Sequence, residues 1–218
     1  MARYQYVLFD FDGTLYNTYE GITKSYQNTL RTVLGEEHEP DDFLCCIGPP
    51  LIDTFRVRFG MDDETTERAV AAYRDRYHSK GLYECYMYAG MEDALRRLSD
   101  AGCTLAIASS KPSDIIDLTM RHFDTRKYID MISGLMDDAD GSTKTQVIER
   151  VIERYGADKR DVVMVGDRFY DAEGAKAAGV DFIAALYGFA PPHEFDPYSA
   201  VLCAETPGEI ADYILKDL

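Results

Sequence analysis

An almost unbroken apolar run, Tyr4-Gln5-Tyr6-Val7-Leu8-Phe9, ends in Asp10-Phe11-Asp12-Gly13-Thr14, and no other stretch constrains the chain as strongly. Its aromatic and branched residues, closed by a glycine, predict a strand buried on both faces. Such strands belong to parallel sheets covered by helices, and open parallel sheets bind ligands beyond the carboxyl ends of their strands. Asp10 and Asp12 stand at that end. Alternate strand residues point to opposite sides, so Asp10 can face a crevice while Asp12 bends over it as the Gly13 turn begins. The plainer reading, an acidic turn that caps a following helix, carries less weight.

From Met91 onward, strand and helix patterns alternate. Helical spacing is predicted over 91–100, 114–123, 145–155, 171–178 and 209–215, with Ser142 or Thr143 as the cap of the third. Strands are predicted over 104–108, within 129–135, and over 161–165, 180–186 and 200–203. Between Thr14 and Met87 the pattern differs, because 16–33, 51–59 and 65–77 read as helices with no comparable strand among them. That stretch cannot belong to an alternating core. The expected architecture is therefore α/β: a doubly wound, mostly parallel sheet with a Rossmann-like core from residues 1–15 and 89–218, and an inserted all-helical cap domain over 16–88.

Composition narrows the partners. Thirty-nine acidic against 23 basic residues give a formal net charge of −16, which repels phosphate backbones and argues against nucleic acid. No segment has the apolar length of a membrane span, and Met1-Ala2-Arg3-Tyr4 enters the first strand without a signal-peptide pattern, so a cytoplasmic location is expected. None of the five cysteines lies in a C-x-x-C pair, which fits reduced thiols; Cys103 and Cys203, beside apolar runs, are expected as small core residues.

Three predicted strands end in polar residues: Asp10 and Asp12, then Ser109, then Gly166-Asp167 with Asp171 one helical turn on. If these strands are parallel neighbours, the side chains converge on one crevice. Several carboxylates in one place repel one another, and a hard divalent cation resolves the repulsion. Magnesium suits the site, since it accepts a few carboxylate or carbonyl oxygens and takes a further position from a substrate phosphate. Ser109 would donate to a phosphate oxygen and Lys144, near a helix start, would neutralise its charge. Each residue has a plainer reading alone, as a turn serine, a surface lysine or a helix cap. Their order and common placement favour the chemical one.

The chain resembles the haloacid dehalogenase superfamily, and more closely its phosphoglycolate phosphatase-like and β-phosphoglucomutase-like branch. Asp10-Phe11-Asp12-Gly13-Thr14 matches the first motif, Ser109 with Ser110-Lys111-Pro112 the second, Lys144 the third, and Gly166-Asp167-Arg168-Phe169-Tyr170-Asp171 the fourth. The cap return here reads Tyr88-Ala89-Gly90, where relatives commonly have Pro before the Gly. The resemblance implies Asp10 as nucleophile, Asp12 as general acid and base, and phosphate binding by Ser109, Ser110 and Lys144. It implies Mg2+ held by Asp10, the Asp12 carbonyl and Asp167, with Asp171 and Gly166 in support. The expected function is a magnesium-dependent phosphatase that hydrolyses a small phosphorylated metabolite through an aspartyl phosphate. The insertion is expected to act as a lid that selects the substrate, through residues such as Tyr16 to Tyr19, Ile47 to Leu51 and Arg56.

Rival readings are a phosphomutase with the same nucleophile, a metal-free dehalogenase that leaves Asp12 and Asp167 without purpose, and an inactive phosphometabolite-binding protein. A calcium-loop reading fails on spacing. Counted from Asp10, positions six and twelve are Leu15 and Gly21 rather than Gly and Glu, and the Asp137-Asp138-Asp140 cluster fails likewise.

Overall fold

A computed structural model describes residues 2–136 and 141–216. The chain divides into two units, Met1–Tyr16 with Met87–Leu218, and Asn17–Tyr86. In chain order the first elements are β1 (Tyr6–Phe9), β2 (Tyr16–Asn17), α1 (Tyr19–Leu34), α2 (Leu51–Asp53), α3 (Asp63–Ser79) and β3 (Tyr86–Met87). There follow α4 (Met91–Asp100), β4 (Thr104–Pro112), α5 (Ser113–His122), β5 (Met131–Leu135), α6 (Lys144–Tyr155), β6 (Val162–Gly166), α7 (Phe169–Ala178), β7 (Asp181–Ala185), β8 (Leu202–Ala204) and α8 (Pro207–Leu215).

The first unit is built on a six-stranded sheet of order β5-β4-β1-β6-β7-β8, in which every pairing is parallel. The expected doubly wound α/β core is what forms. One face presents Leu8, Ala106, Ala108, Val162, Met164, Phe182 and Ala184 to α6 and α7, whose Val147, Ile148, Val151, Ala172, Ala175 and Ala178 complete a buried cluster. The alternate residues of the same strands, among them Val7, Phe9, Leu105, Ile107, Val163, Val165 and Ile183, are also fully buried, so the central strands are apolar on both sides. Chain order along the sheet reverses at β1. Strands β4 and β6 flank it in register, with Phe9 opposite Ile107 on one side and Val165 on the other. The residues just past those pairs, Asp10, Ala108 and Gly166, therefore lie side by side at one sheet edge.

Several boundaries differ from the sequence reading. Strand β4 runs to Pro112 rather than stopping at Ala108, but its pairing with β5 jumps from Ala108 opposite Ser133 to Pro112 opposite Leu135. The extra residues bulge out of the ladder at Ser109-Ser110-Lys111, and a Cβ on Gly134 would meet the Lys111 carbonyl at 2.4 Å. Helix α7 starts at Phe169, two residues early, because the Asp171 carboxylate accepts from the Arg168 amide (3.1 Å) and closes the first turn. Thr143 caps α6 reciprocally with Gln146. Cys103 is buried, whereas Cys203 is exposed, since β8 is the edge strand and turns that residue outward.

In the second unit, α1 and α3 pack around Tyr26, whose ring meets Phe43, Phe55, Phe59 and Tyr73 at centroid distances of 5.7, 5.4, 6.4 and 4.9 Å. The expected helix over 51–59 is instead a short α2 followed by a wide turn over Thr54–Arg58, closed by the Phe59 amide on the Thr54 carbonyl (3.3 Å). Residues 16 and 17, assigned to α1 from their spacing, form β2. Among the described residues, no helix is long and apolar enough to cross a membrane.

Because Leu8 is fully buried at the centre of the sheet, Leu8→Ala should cost about 2–5 kcal/mol, read as a lowered urea midpoint by far-UV circular dichroism.

Candidate active site

Asp10 continues β1 by one residue, its amide held by the Val165 carbonyl at 2.9 Å, so its side chain leaves a fixed backbone. Beyond it the chain turns sharply. Gly13 lies at φ +76°, its amide bonds the Tyr16 carbonyl (2.8 Å), and an added Cβ would fall 2.0 Å from Asp167 Oδ2. Only glycine permits both the left-handed turn and the approach.

Lys144 opens α6 on the same side of the sheet and is almost wholly buried. Its Nζ lies 3.0 Å from Asp10 Oδ1 and 2.8 Å from Asp171 Oδ1, and donates to the Ala108 carbonyl at 3.1 Å. Each of these two carboxylate oxygens is thus ion-paired with the buried ammonium. The lysine reaches this position past Gly174 of α7, where a Cβ would stand 2.5 Å from Lys144 Cγ. Asp167, fully buried, accepts from the Phe189 amide (2.8 Å) and, more loosely, from the Thr14 hydroxyl (3.5 Å). Carboxylate oxygens of Asp10, Asp167 and Asp171 lie within 4.8 Å of one another.

The bulge of β4 supplies the rest. Ser109 is buried and its Oγ accepts from the Lys111 amide (3.3 Å), while Ser110 is half-buried. Lys111 points inward and holds both oxygens of Asp12, at 2.9 and 3.1 Å. Sequence reasoning placed Lys111 in the second motif but gave it no role, since a Lys before Pro also reads as a turn residue; only the bulge brings it to Asp12. It missed Phe189 and Glu194, which lie beyond β7 in a segment without pattern. The Asp137-Asp138-Asp140 cluster lies outside the described residues.

Electrostatics follow from burial. Desolvation, then repulsion from Asp171 and Asp10, pushes the Asp167 carboxyl far above its ordinary range against the Phe189 hydrogen bond. Asp171 is pushed up to about 6, chiefly by burial and against the attraction of Lys144. Burial alone would lower Lys144, but the charges of Asp10 and Asp171 outweigh it and raise the ammonium. Four carboxyls, of Asp10, Asp12, Asp167 and Asp171, face the two ammonium groups of Lys111 and Lys144, while Arg168 and Glu194 pair with one another, so full ionisation of the acids would leave surplus negative charge. A divalent cation would offset that surplus, and an all-oxygen donor set suits magnesium.

A cluster of this kind at the switch point of a parallel sheet marks an α/β enzyme. The haloacid dehalogenase-like hydrolase family model matches residues 7–185, and the chain belongs to that family. A 5'-nucleotidase of Pseudomonas aeruginosa is 35% identical over 192 residues, 88% of this chain and 87% of that one. The tyrosine-protein kinase PtkA of Mycobacterium tuberculosis is 32% identical over 185 residues, which are 85% of this chain but 63% of that longer protein. The crystal structure of a predicted phosphatase from Clostridium acetobutylicum superposes with a TM-score of 0.91 at 34% identity, covering 98% of this chain and 99% of that one.

The raised carboxyls set a pH dependence. Their native values lie above the unfolded value of about 3.9, so the native state holds the extra protons. This contribution to stability is complete below about pH 4 and is lost as pH rises through about 6 for Asp171. Urea unfolding of metal-stripped protein should therefore show a larger loss of stability from pH 5 to pH 7.5 in wild type than in Asp171→Asn.

Proposed function

We propose that this hydrolase is a magnesium-dependent phosphatase acting on a small phosphorylated metabolite, with Asp10 as the nucleophile. The observation that carries the reading is the buried grouping of Asp10, Asp167 and Asp171 around Lys144 at the carboxyl ends of parallel strands, an arrangement whose surplus of acids suits a cation. Kinship with the 5'-nucleotidase of Pseudomonas aeruginosa and with the predicted phosphatase of Clostridium acetobutylicum supports phosphate esters as the substrate class.

Asp10, the Asp12 carbonyl and Asp167 would hold the metal, with Asp171 and Gly166 in support. Bound there, magnesium would neutralise charge on the phosphoryl oxygens. Lys144 and the hydroxyls of Ser109 and Ser110 hold the phosphate by charge and hydrogen bonds. An Asp10 oxygen attacks phosphorus; the bond to the ester oxygen breaks, and Asp12 in its acid form gives that oxygen a proton, releasing the alcohol. Asp12, now a carboxylate, takes a proton from water, whose oxygen attacks phosphorus. The bond to Asp10 breaks, inorganic phosphate leaves, and Asp12 is again an acid. The fixed backbone of Asp10 suits attack, and the turn that carries Asp12 suits proton transfer, with Lys111 orienting its carboxylate. Gly166, whose Cβ would stand 2.2 Å from Asp171 Cγ, leaves the supporting carboxylate room.

Activity on p-nitrophenyl phosphate should disappear in excess chelator and return with Mg2+, and Asp167→Asn should weaken metal binding and turnover together. Acid quench with radiolabelled substrate should leave a hydroxylamine-sensitive label on the Asp10 peptide, most abundant in Asp12→Ala. A burst of released alcohol without that label would rule out the covalent route.

A further inference from the structure

The segment after β7 grips the acidic cluster from a direction that the motifs do not describe. The Phe189 amide bonds Asp167 Oδ2 at 2.8 Å. Five residues on, Glu194 places Oε1 on two donors at once, the Phe169 amide (2.7 Å) and Arg168 Nε (3.1 Å). Phe169 is the first residue of α7, and its amide is one of the groups a helix leaves without a partner in its own turn. Asp171 satisfies the neighbouring Arg168 amide and Glu194 satisfies the next. The first turn of α7 is thus capped partly from 25 residues downstream.

Two features show that the arrangement is held at a cost. The Glu194 side chain is 7% exposed, and its second oxygen, Oε2, is buried without a hydrogen bond. The preceding residue, His193, sits at φ +68°, a left-handed conformation that a side chain disfavours. A cheaper cap was open to this chain, a Ser, Thr or Asn at position 168 itself. What Glu194 adds is a fixed position for the Arg168-Phe169 peptide, which lies directly between Asp167 and Asp171. Those carboxylates and Asp10 are within 4.8 Å of one another and repel, so without a restraint the strand end and the helix start would spread apart.

We propose that Glu194, through Arg168 and the Phe169 amide, is a positioning residue that presets the Asp167 and Asp171 spacing for a divalent cation it does not itself touch. The inference rests on the metal reading above. Partners that hold ligating carboxylates in place act through metal affinity, with losses of about tenfold to a hundredfold when they are removed.

The test uses full-length protein with Mn2+ as probe, its free concentration read by electron paramagnetic resonance. Glu194→Ala should raise the dissociation constant about tenfold to a hundredfold, and Glu194→Gln, which keeps an acceptor for Phe169 but drops the charge facing Arg168, should fall between it and wild type. Turnover at saturating metal should stay near the wild-type value. Ile210→Ala, on the buried apolar face of α8, serves as a control for general loss of stability and should keep wild-type affinity. Should Glu194→Ala fail to fold, Glu194→Gln decides alone. Wild-type affinity in the folded Glu194 variants would overturn the inference, as would an equal loss of affinity in Ile210→Ala. Wild-type protein that binds no Mn2+ would overturn the metal reading and this inference with it.

Discussion

Lys144 stands between Asp10 and Asp171, and the rest of the site depends on that buried contact. An ammonium taken out of water is costly unless it is paired, and two carboxylates at hydrogen-bonding range supply the pairing. The same contact serves both parties. Three acids lie within 4.8 Å of one another in a desolvated space, and the charge of Lys144 opposes the rise that burial imposes on Asp171. The lysine thus gathers the acids on a rigid frame, an arrangement suited to a hard cation.

The sheet delivers these groups because parallel neighbours end together. Register places Asp10, Ala108 and Gly166 side by side, so one step further along three strands meets three chemistries: an acid on a fixed backbone, a bulge bearing Ser109 and Lys111, and the acidic start of α7. Close approach is then a steric matter. Gly13 lets the first loop pass against Asp167, and Gly174 lets Lys144 cross α7; a methyl group at either place would occupy the space of Asp167 or of Lys144. The apolar strands behind, buried on both faces, give the edge its rigidity.

The acidic composition of the whole chain, −16 in formal charge, gains meaning against this local picture. A negative surface does not attract an anionic substrate from a distance, so binding has to arise within the site from a few placed cations. Lys144 and Lys111 are both drawn inward and both engaged with carboxylates. Their positive charge is shared with the acids they order, so a divalent cation would add the counter-charge that a phosphate needs.

The apolar run ending in Asp10-Phe11-Asp12-Gly13-Thr14, the return of strand and helix after Met91, and the polar residues at three strand ends were legible because each is a local pattern: burial on both faces, period and punctuation. These determined the sheet, its helices, and the identities of Asp10, Asp12, Ser109, Lys144, Asp167 and Asp171 as candidates. What sequence could not give was decided by pairs far apart in the chain. The outward turn of Cys203 follows from β8 being the last strand, and the length of β4 from a bulge against β5. The bond of Lys111 to Asp12 spans 99 residues and that of Glu194 to Phe169 spans 25, with no periodicity to announce either. Local propensity fixes which residues become strands and helices, whereas the partner of a charged side chain is chosen only when folding removes water and leaves one oppositely charged group within reach.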